Sequence, residues 1–289
     1  MKKPAGWSTT HGSAFSEPEV AAAYAFRPPY PPAVFAHLDR LLTEVRSPLP
    51  ASARRVLDVG CGTGGLARHL PALGVSVDAI DISDAMVDRG RTLPGGSHPR
   101  LTWQVGPIEQ ATLTPPYDLV TAGESLHWMD WEQVLPLFAE VLSPTGLLVI
   151  ADLDTNAVPW RAELIPIIKA YSTNPAYQQL NLVDELAQRG LYVESGRTTT
   201  PPWTFRQSLV DYVEAFHGRA AFSRKRMADA DAFDRAVTEL VREHTPGDVE
   251  LPVVAQISWG RPVQPPPAPA RVPGKAVAGR RRGGRRPGV

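Results

Sequence analysis

The chain has 289 residues, of which 43% are hydrophobic, and its 30 basic and 30 acidic side chains cancel to a formal net charge of zero. That length and composition suffice to bury one large core or two modest ones. No apolar run approaches the ~20 residues of a membrane span, and no signal-like apolar stretch follows Met1-Lys2-Lys3-Pro4. The single cysteine, Cys61, excludes an intramolecular disulfide and a cysteine-rich zinc site, so a cytoplasmic protein without a membrane partner is expected.

Taken in chain order, residues 17–25 and 32–45 read as helices; Val34, Phe35, Leu38, Leu41, Leu42 and Val45 recur on one face of the second. The link Arg27-Pro28-Pro29-Tyr30-Pro31-Pro32 between them must be extended. Strands are expected near 54–59, 75–81, 100–105, 117–123 and 146–152, with helices near 64–73, 83–91 and 130–142 between them. Such alternation, with right-handed crossovers, gives a doubly wound α/β sheet covered on both faces. Beyond Asp152 the rhythm changes to helices over 157–170, 176–189 and 207–244, the last interrupted near Gly218 and Phe222, with strands over 191–200 and 249–259.

From Arg261 onward eight basic residues and no acid occur, which leaves 22 basic against 30 acidic residues in the rest. Residues 261–289, rich in proline, glycine and arginine, are expected to form a disordered tail. The run Arg280-Arg281-Arg282-Gly283-Gly284-Arg285-Arg286 can attract an anionic surface, but the acidic body argues against nucleic acid as a partner.

The richest segment is Val56-Leu57-Asp58-Val59-Gly60-Cys61-Gly62-Thr63-Gly64-Gly65, an apolar strand that ends in closely spaced glycines. Glycine there lets a nucleoside approach the backbone and permits dihedrals that a Cβ resists. Two cofactors fit. Gly60, Gly62 and Gly65 match G-x-G-x-x-G, with Asp81 about 20 residues further on, as in nicotinamide dinucleotide sites. A dinucleotide, however, lays its pyrophosphate on a helix N-terminus and does not ask for the extra anion of Asp58. S-adenosylmethionine carries an ammonium and a sulfonium, which a carboxylate suits.

Asp58-Val59-Gly60-Cys61-Gly62-Thr63-Gly64 resembles the first motif of the class I S-adenosylmethionine-dependent methyltransferases. The resemblance extends over residues 54–152: Val77–Met86 resembles the second strand with its ribose-binding acid, Val105–Glu109 the adenine-edging segment, Tyr117–Val120 the fourth strand and Leu142–Ile150 the turn into the fifth. It implies a seven-stranded Rossmann-like methyltransferase sheet with helical cap insertions. It divides the chain into an N-terminal lid (1–46), an S-adenosylmethionine-binding core (47–156), cap helices with the final strands (157–260) and the tail (261–289). The cofactor contacts implied are Asp58, Gly60, Cys61, Gly62, Gly64, Asp81, Ile82, Ile108, Glu109 and Gly123.

Glu124-Ser125-Leu126-His127-Trp128-Met129-Asp130-Trp131 is similar to an H-W element of the small-molecule branch that includes trans-aconitate and juvenile-hormone-acid methyltransferases. That branch implies methylation of a small organic acceptor, of the secondary-metabolism type, at a carboxylate or hydroxyl oxygen. His127 is the candidate general base, since an ordinary imidazole titrates near neutrality. Trp128 can stabilise a cation through its ring face. Tyr24-Ala25-Phe26-Arg27-Pro28-Pro29-Tyr30-Pro31 resembles a segment that closes over the cofactor, and makes Tyr24, Arg27 and Tyr30 substrate-binding candidates. Arg27, Arg161 and Arg219 are candidate clamps for an acidic acceptor. Glu124, Asp152, Asp154 and Asn156 offer oxygens to a metal, but their spacing is not diagnostic and no metal is expected. The alternatives are a nicotinamide-dependent oxidoreductase, a non-methylating scaffold that binds S-adenosylmethionine, and a cyclase that uses it.

Overall fold

The computed structural model describes residues 3–4, 6–7, 12–50, 53–177 and 181–263. The expected tail therefore lies outside the described residues beyond 263. Its start belongs elsewhere, because Arg261 is in the last strand and its guanidinium donates to the carbonyls of Pro144 (3.0 Å) and Gly146 (2.6 Å).

Five parallel strands, β1 (Arg55–Val59), β2 (Ser76–Asp81), β3 (Leu101–Val105), β4 (Tyr117–Gly123) and β5 (Leu142–Asp154), run in the order β3-β2-β1-β4-β5. β6 (Tyr192–Thr199), β7 (Trp203–Gln207) and β8 (Val249–Pro262) complete the sheet. β8 inserts antiparallel between β5 and β6, and its first residues pair with β7. The sheet thus has eight strands where seven are expected, and β7 is the addition. Only five residues long, with Trp203 and Phe205 half-buried in alternation, β7 offers a weak two-residue period.

Successive residues of the central strands face opposite layers, as strand geometry requires. Leu57, Val59, Val120, Ala122, Leu148 and Ile150 join one buried cluster; Val56, Leu119 and Val149 join the other. Helix α1 (Pro18–Ala23) lies ahead of α2 (Pro32–Glu44), which starts on a proline and buries Val34, Leu38, Leu41 and Leu42 on the second face. On the first face lies α4 (Trp131–Val141), which follows α3 (Asp84–Thr92) in the chain. Asp130 caps α4 and Ser83 caps α3 through their side chains, which leaves Asp81 for other work.

No α-helix follows the glycine loop, contrary to the expectation for 64–73. Turns run through residue 69 and end in a single 3-10 turn, Leu70–Leu73. Gly64 and Gly65 are poor helix formers and Pro71 has no N–H to donate, which accounts for the difference.

Helices α5 (Arg161–Tyr171), α7 (Leu209–His217) and α8 (Ala230–His244) form the cap, while the shorter α6 (Leu182–Gln188) packs on the sheet. The cap has its own aromatic core, in which Phe216, Phe222 and Phe233 touch one another. That core includes Val249, Leu251 and Val253 of β8, whose later residues Ala255 and Ile257 are buried in the main sheet. Core and cap therefore share one strand.

Candidate functional site

β1 pairs with β2 on one side and β4 on the other, so the carboxyl ends of these strands flank the point where the chain order reverses. Open α/β sheets bind ligands there. A cleft with about 1070 Å³ of empty space opens at this point. Gly60 and Gly62 of the loop line it, with Asp81 and Ile82 after β2, Ile108 and Glu109 after β3, and Gly123 at the end of β4.

The loop geometry explains the glycines. Gly60 and Gly62 have φ of 61° and 54°, in the left-handed region. The Gly62 N–H donates to Asp81 Oδ2 at 2.7 Å and the Ser83 N–H to Asp81 Oδ1 at 2.8 Å, so one carboxylate binds loop and strand end together. Beside it Ile82 is 63% exposed, a large apolar face left open in the cleft. A carboxylate next to an uncovered apolar surface suits a sugar hydroxyl and a flat ring.

The N-terminal segment covers this cleft. Phe15, Tyr24 and Arg27 line it, and the Phe15 carbonyl accepts from Ser83 Oγ at 2.7 Å. Glu17 holds the same segment to the cap by accepting from Arg226 Nε at 2.6 Å and from Ser223 Oγ. Arg27 lies 4.9 Å from the Tyr24 ring centroid and donates to Glu124 at 2.6 Å, both partners of that ion pair being largely shielded from solvent. Glu124 itself has φ of 51°. A non-glycine residue in that conformation costs about 1–2 kcal/mol, and such strain gathers at functional sites.

Ten of the fifteen residues expected at the site meet in the cleft: Gly60, Gly62, Asp81, Ile82, Ile108, Glu109, Gly123, Tyr24, Arg27 and Trp128. The other five do not. Asp58 is 2% exposed; its Oδ2 accepts from the Ala67 N–H at 3.1 Å and its Oδ1 from Thr121 Oγ1 at 2.7 Å. It pins the turns after the loop, so its charge is engaged inside the protein and does not line the cleft, contrary to the expectation that it faces a sulfonium. Cys61 is buried behind the loop, with its thiol pushed up by burial, and Gly64 sits against Trp103. Tyr30 packs over Gly65 and behind Gly123, where an added Cβ would collide with its hydroxyl. His127 is wedged between Trp7 and Trp128, with ring centroids at 5.8 and 4.3 Å, and its carbonyl accepts from Lys3 Nζ at 2.6 Å. Burial, with Lys3 and Arg27 nearby, lowers its pKa to about 3. An imidazole so placed is neither in the cleft nor basic enough to serve as a general base at neutral pH.

Sequence reading gave no site role to Phe15 or Met129, which also line the cleft; Glu124 and Ser125 fall within the stretch 123–128 that the strand-end rule nominates, but the one role suggested for the Glu124 side chain was as a metal ligand. Glu124 is bound instead to Arg27, and Asp154 Oδ1 accepts from the Asn156 N–H at 2.8 Å.

The cleft's charged lining is Arg27, Asp81, Glu109 and Glu124, three acids to one base. Burial and the charge of Glu124 also raise Asp152 to about 7. Because its folded pKa lies above the unfolded value, the native state holds a proton that the unfolded chain has lost between about pH 4 and 7. Stability should therefore fall as pH rises through that window and level off above it. Asp152→Asn is expected to raise the melting temperature at pH 8, to change little at pH 4, and so to flatten the profile in pH-dependent melting curves.

The cleft lies at the switch point of an open α/β sheet, where such sheets bind nucleotide-type ligands, and most of its charged lining is acidic. Residues 56–146 match the family model described as a methyltransferase domain. The chain is 34% identical over 144 residues to an uncharacterized methyltransferase of Mycobacterium tuberculosis, covering 49% of this chain and 54% of that protein. It is 31% identical over 117 residues to the ubiquinone biosynthesis O-methyltransferase of Bradyrhizobium diazoefficiens, covering 40% and 45%. The chain thus spans about half the length of the curated relatives it matches. A solved structure of a candidate type II methyltransferase from Anaeromyxobacter dehalogenans superposes with a TM-score of 0.56 at 24% identity, over 81% of this chain and 97% of the other. A candidate methyltransferase of an antibiotic biosynthesis pathway from Anabaena variabilis gives 0.51 at 17%, over 79% and 96%. These two likenesses are of fold. No described helix is long and apolar enough to cross a membrane.

Proposed function

We propose that this protein is an S-adenosylmethionine-dependent methyltransferase that acts on an oxygen of a small organic acceptor. The observation that carries the reading is the sign of the cleft: its lining is net negative, and turns follow its glycine loop where a pyrophosphate-binding site has a helix N-terminus. A dinucleotide would bring two more negative charges to that lining; a sulfonium and an ammonium are attracted to it. The antiparallel β8 between β5 and β6 likewise departs from the all-parallel order of dinucleotide folds.

S-adenosylmethionine supplies an activated methyl group when bound. The protein's part is to hold the acceptor oxygen in line with that methyl and to exclude water; such positioning alone contributes roughly 7–11 kcal/mol. In this reading Asp81 takes the ribose hydroxyls, Ile82 and Ile108 the adenine faces, and Gly60 and Gly62 allow close backbone approach; that all five line the cleft supports it. Trp128 and Tyr24, both in the cleft wall, border the acceptor. With His127 turned away, the acceptor that fits most simply is a carboxylate, which is ionised at neutral pH and loses no proton on methylation.

The test compares S-adenosylmethionine with NADH in thermal unfolding, followed by product detection over a panel of carboxylic acids and phenols. At a hundredfold excess over its Kd, a specific ligand adds about 2.7 kcal/mol of stability. Stabilisation by NADH alone would sink the proposal. Stabilisation by S-adenosylmethionine with no methylated product from any acceptor would leave only a binding protein.

A further inference from the structure

A second, narrower cavity lies between the sheet and the cap, walled by Asn156, Arg161, Gln207, Tyr212, Phe216 and Arg219 among others. Arg27 lines the first cleft and its neighbour Pro28 lines the second, so one short stretch of extended chain forms a wall of both. The cavities have opposite sign: two arginines and no carboxylate line the second.

Three of its buried polar side-chain atoms lack partners among the described residues. Gln207, the last residue of β7, is 8% exposed, yet neither its amide nitrogen nor its amide oxygen has a hydrogen-bond partner among the described residues. The buried Nε of Arg219 is likewise unpartnered, its guanidinium stacked 4.9 Å from the Phe216 ring centroid. Neither Arg161 nor Arg219 belongs to any ion pair found among the described residues, although seven other arginines outside the first cleft do. Arg161 also occupies the first turn of α5, where the helix dipole disfavours a cation. Burying unpaired polar and charged groups is costly for folding alone. Groups left so call for a partner from outside the protein, a water, an ion or a ligand.

We infer that this cavity is an acceptor-anchoring subsite in which Arg161, Arg219 and Gln207 hold an oxyanion, a carboxylate or a phosphate, borne by the acceptor apart from the oxygen that is methylated. The inference rests on the methyltransferase reading and extends it: the cofactor cleft receives a cation, and the adjoining cavity receives the anionic end of its reaction partner. Two guanidinium groups occupy the lone pairs of the anchored oxyanion, so it serves as a handle and not as the nucleophile. The Gln207 amide N–H₂ adds a donor to the same group. Burial and the neighbouring Arg27 lower Arg219 to about 10, as expected of a cation facing like charge.

The experiment uses benzoate, phenyl phosphate and neutral benzamide as probes, measured by calorimetry and by ligand-observed NMR on the full chain. Wild type, Gln207→Leu, Arg161→Met and Arg219→Met are compared, and S-adenosylmethionine binding is recorded for each. The anions should bind and benzamide should not, and each arginine replacement should weaken the anions at least tenfold while S-adenosylmethionine affinity stays within about twofold. Gln207→Leu should weaken the anions and yet raise the melting temperature, because it removes two unsatisfied buried atoms; a purely structural glutamine would not combine those effects. Preference for phenyl phosphate over benzoate, or the reverse, identifies the oxyanion. Equal binding of benzamide and benzoate, or anion affinity unchanged in all three variants, overturns the subsite while S-adenosylmethionine binding keeps the methyltransferase reading intact. Loss of S-adenosylmethionine binding in the wild type overturns that reading itself, whatever the anions do.

Discussion

Asp81→Ala is expected to weaken S-adenosylmethionine binding about 10- to 150-fold, the equivalent of roughly 1.5–3 kcal/mol for a hydrogen bond to a charged group. The effect has two sources. The carboxylate lies in the cleft wall bonded to the glycine loop, and both of its oxygens already accept backbone N–H groups, from Gly62 and Ser83. Removing it deletes the ribose contact and also frees Gly62 to leave its bound conformation. Asp81→Asn retains one acceptor oxygen and should fall between wild type and alanine. Titration calorimetry reads the affinity, and melting curves separate a loosened loop from a lost contact. Affinity unchanged in the alanine variant would remove Asp81 from the ribose.

Gly62→Ala should cost the apo protein only the dihedral penalty, about 1–2 kcal/mol for an L-residue at left-handed φ. The nearest side-chain atoms to the added methyl belong to the Tyr24 ring at 3.9 Å, so nothing in the protein is struck. In the complex the methyl points into the cleft, and a loss of cofactor affinity of tenfold or more is expected. Gly60→Ala makes the control, because there a Cβ meets the Ser125 Cβ at 2.5 Å and the Met129 methyl at 3.0 Å. That variant should lose fold stability along with binding. If Gly62→Ala binds S-adenosylmethionine as wild type does, the loop is not where the nucleoside approaches.

The sheet was legible because its signals are local and repeated. The five parallel strands lie within a few residues of where the apolar runs put them, and β5 begins earlier, at Leu142. Glycine spacing likewise located the cleft, and Asp81 followed from its place at the end of β2. What failed were inferences that depend on where a side chain turns. Asp58 and His127 have residue types suited to the chemistry, yet Ala67 and Thr121 claim the first and two tryptophans enclose the second. No spacing in the sequence encodes those partners. Gln207 was invisible for a related reason: it reads as the first residue of the helical stretch 207–244, and only the pairing of β7 with β8 makes it the end of a strand and buries it.

β8 carries a consequence for biosynthesis. It supplies the partner for β5, β6 and β7 alike, yet it is made about a hundred residues after β5. Until it emerges from the ribosome, the rim of β5 has no neighbour and lies bare to other nascent chains. Pairing across so long a separation is slow, so chaperone dependence should concentrate in that interval. A chain stopped just short of Val249 should precipitate, even though every residue that lines the cofactor cleft is already present.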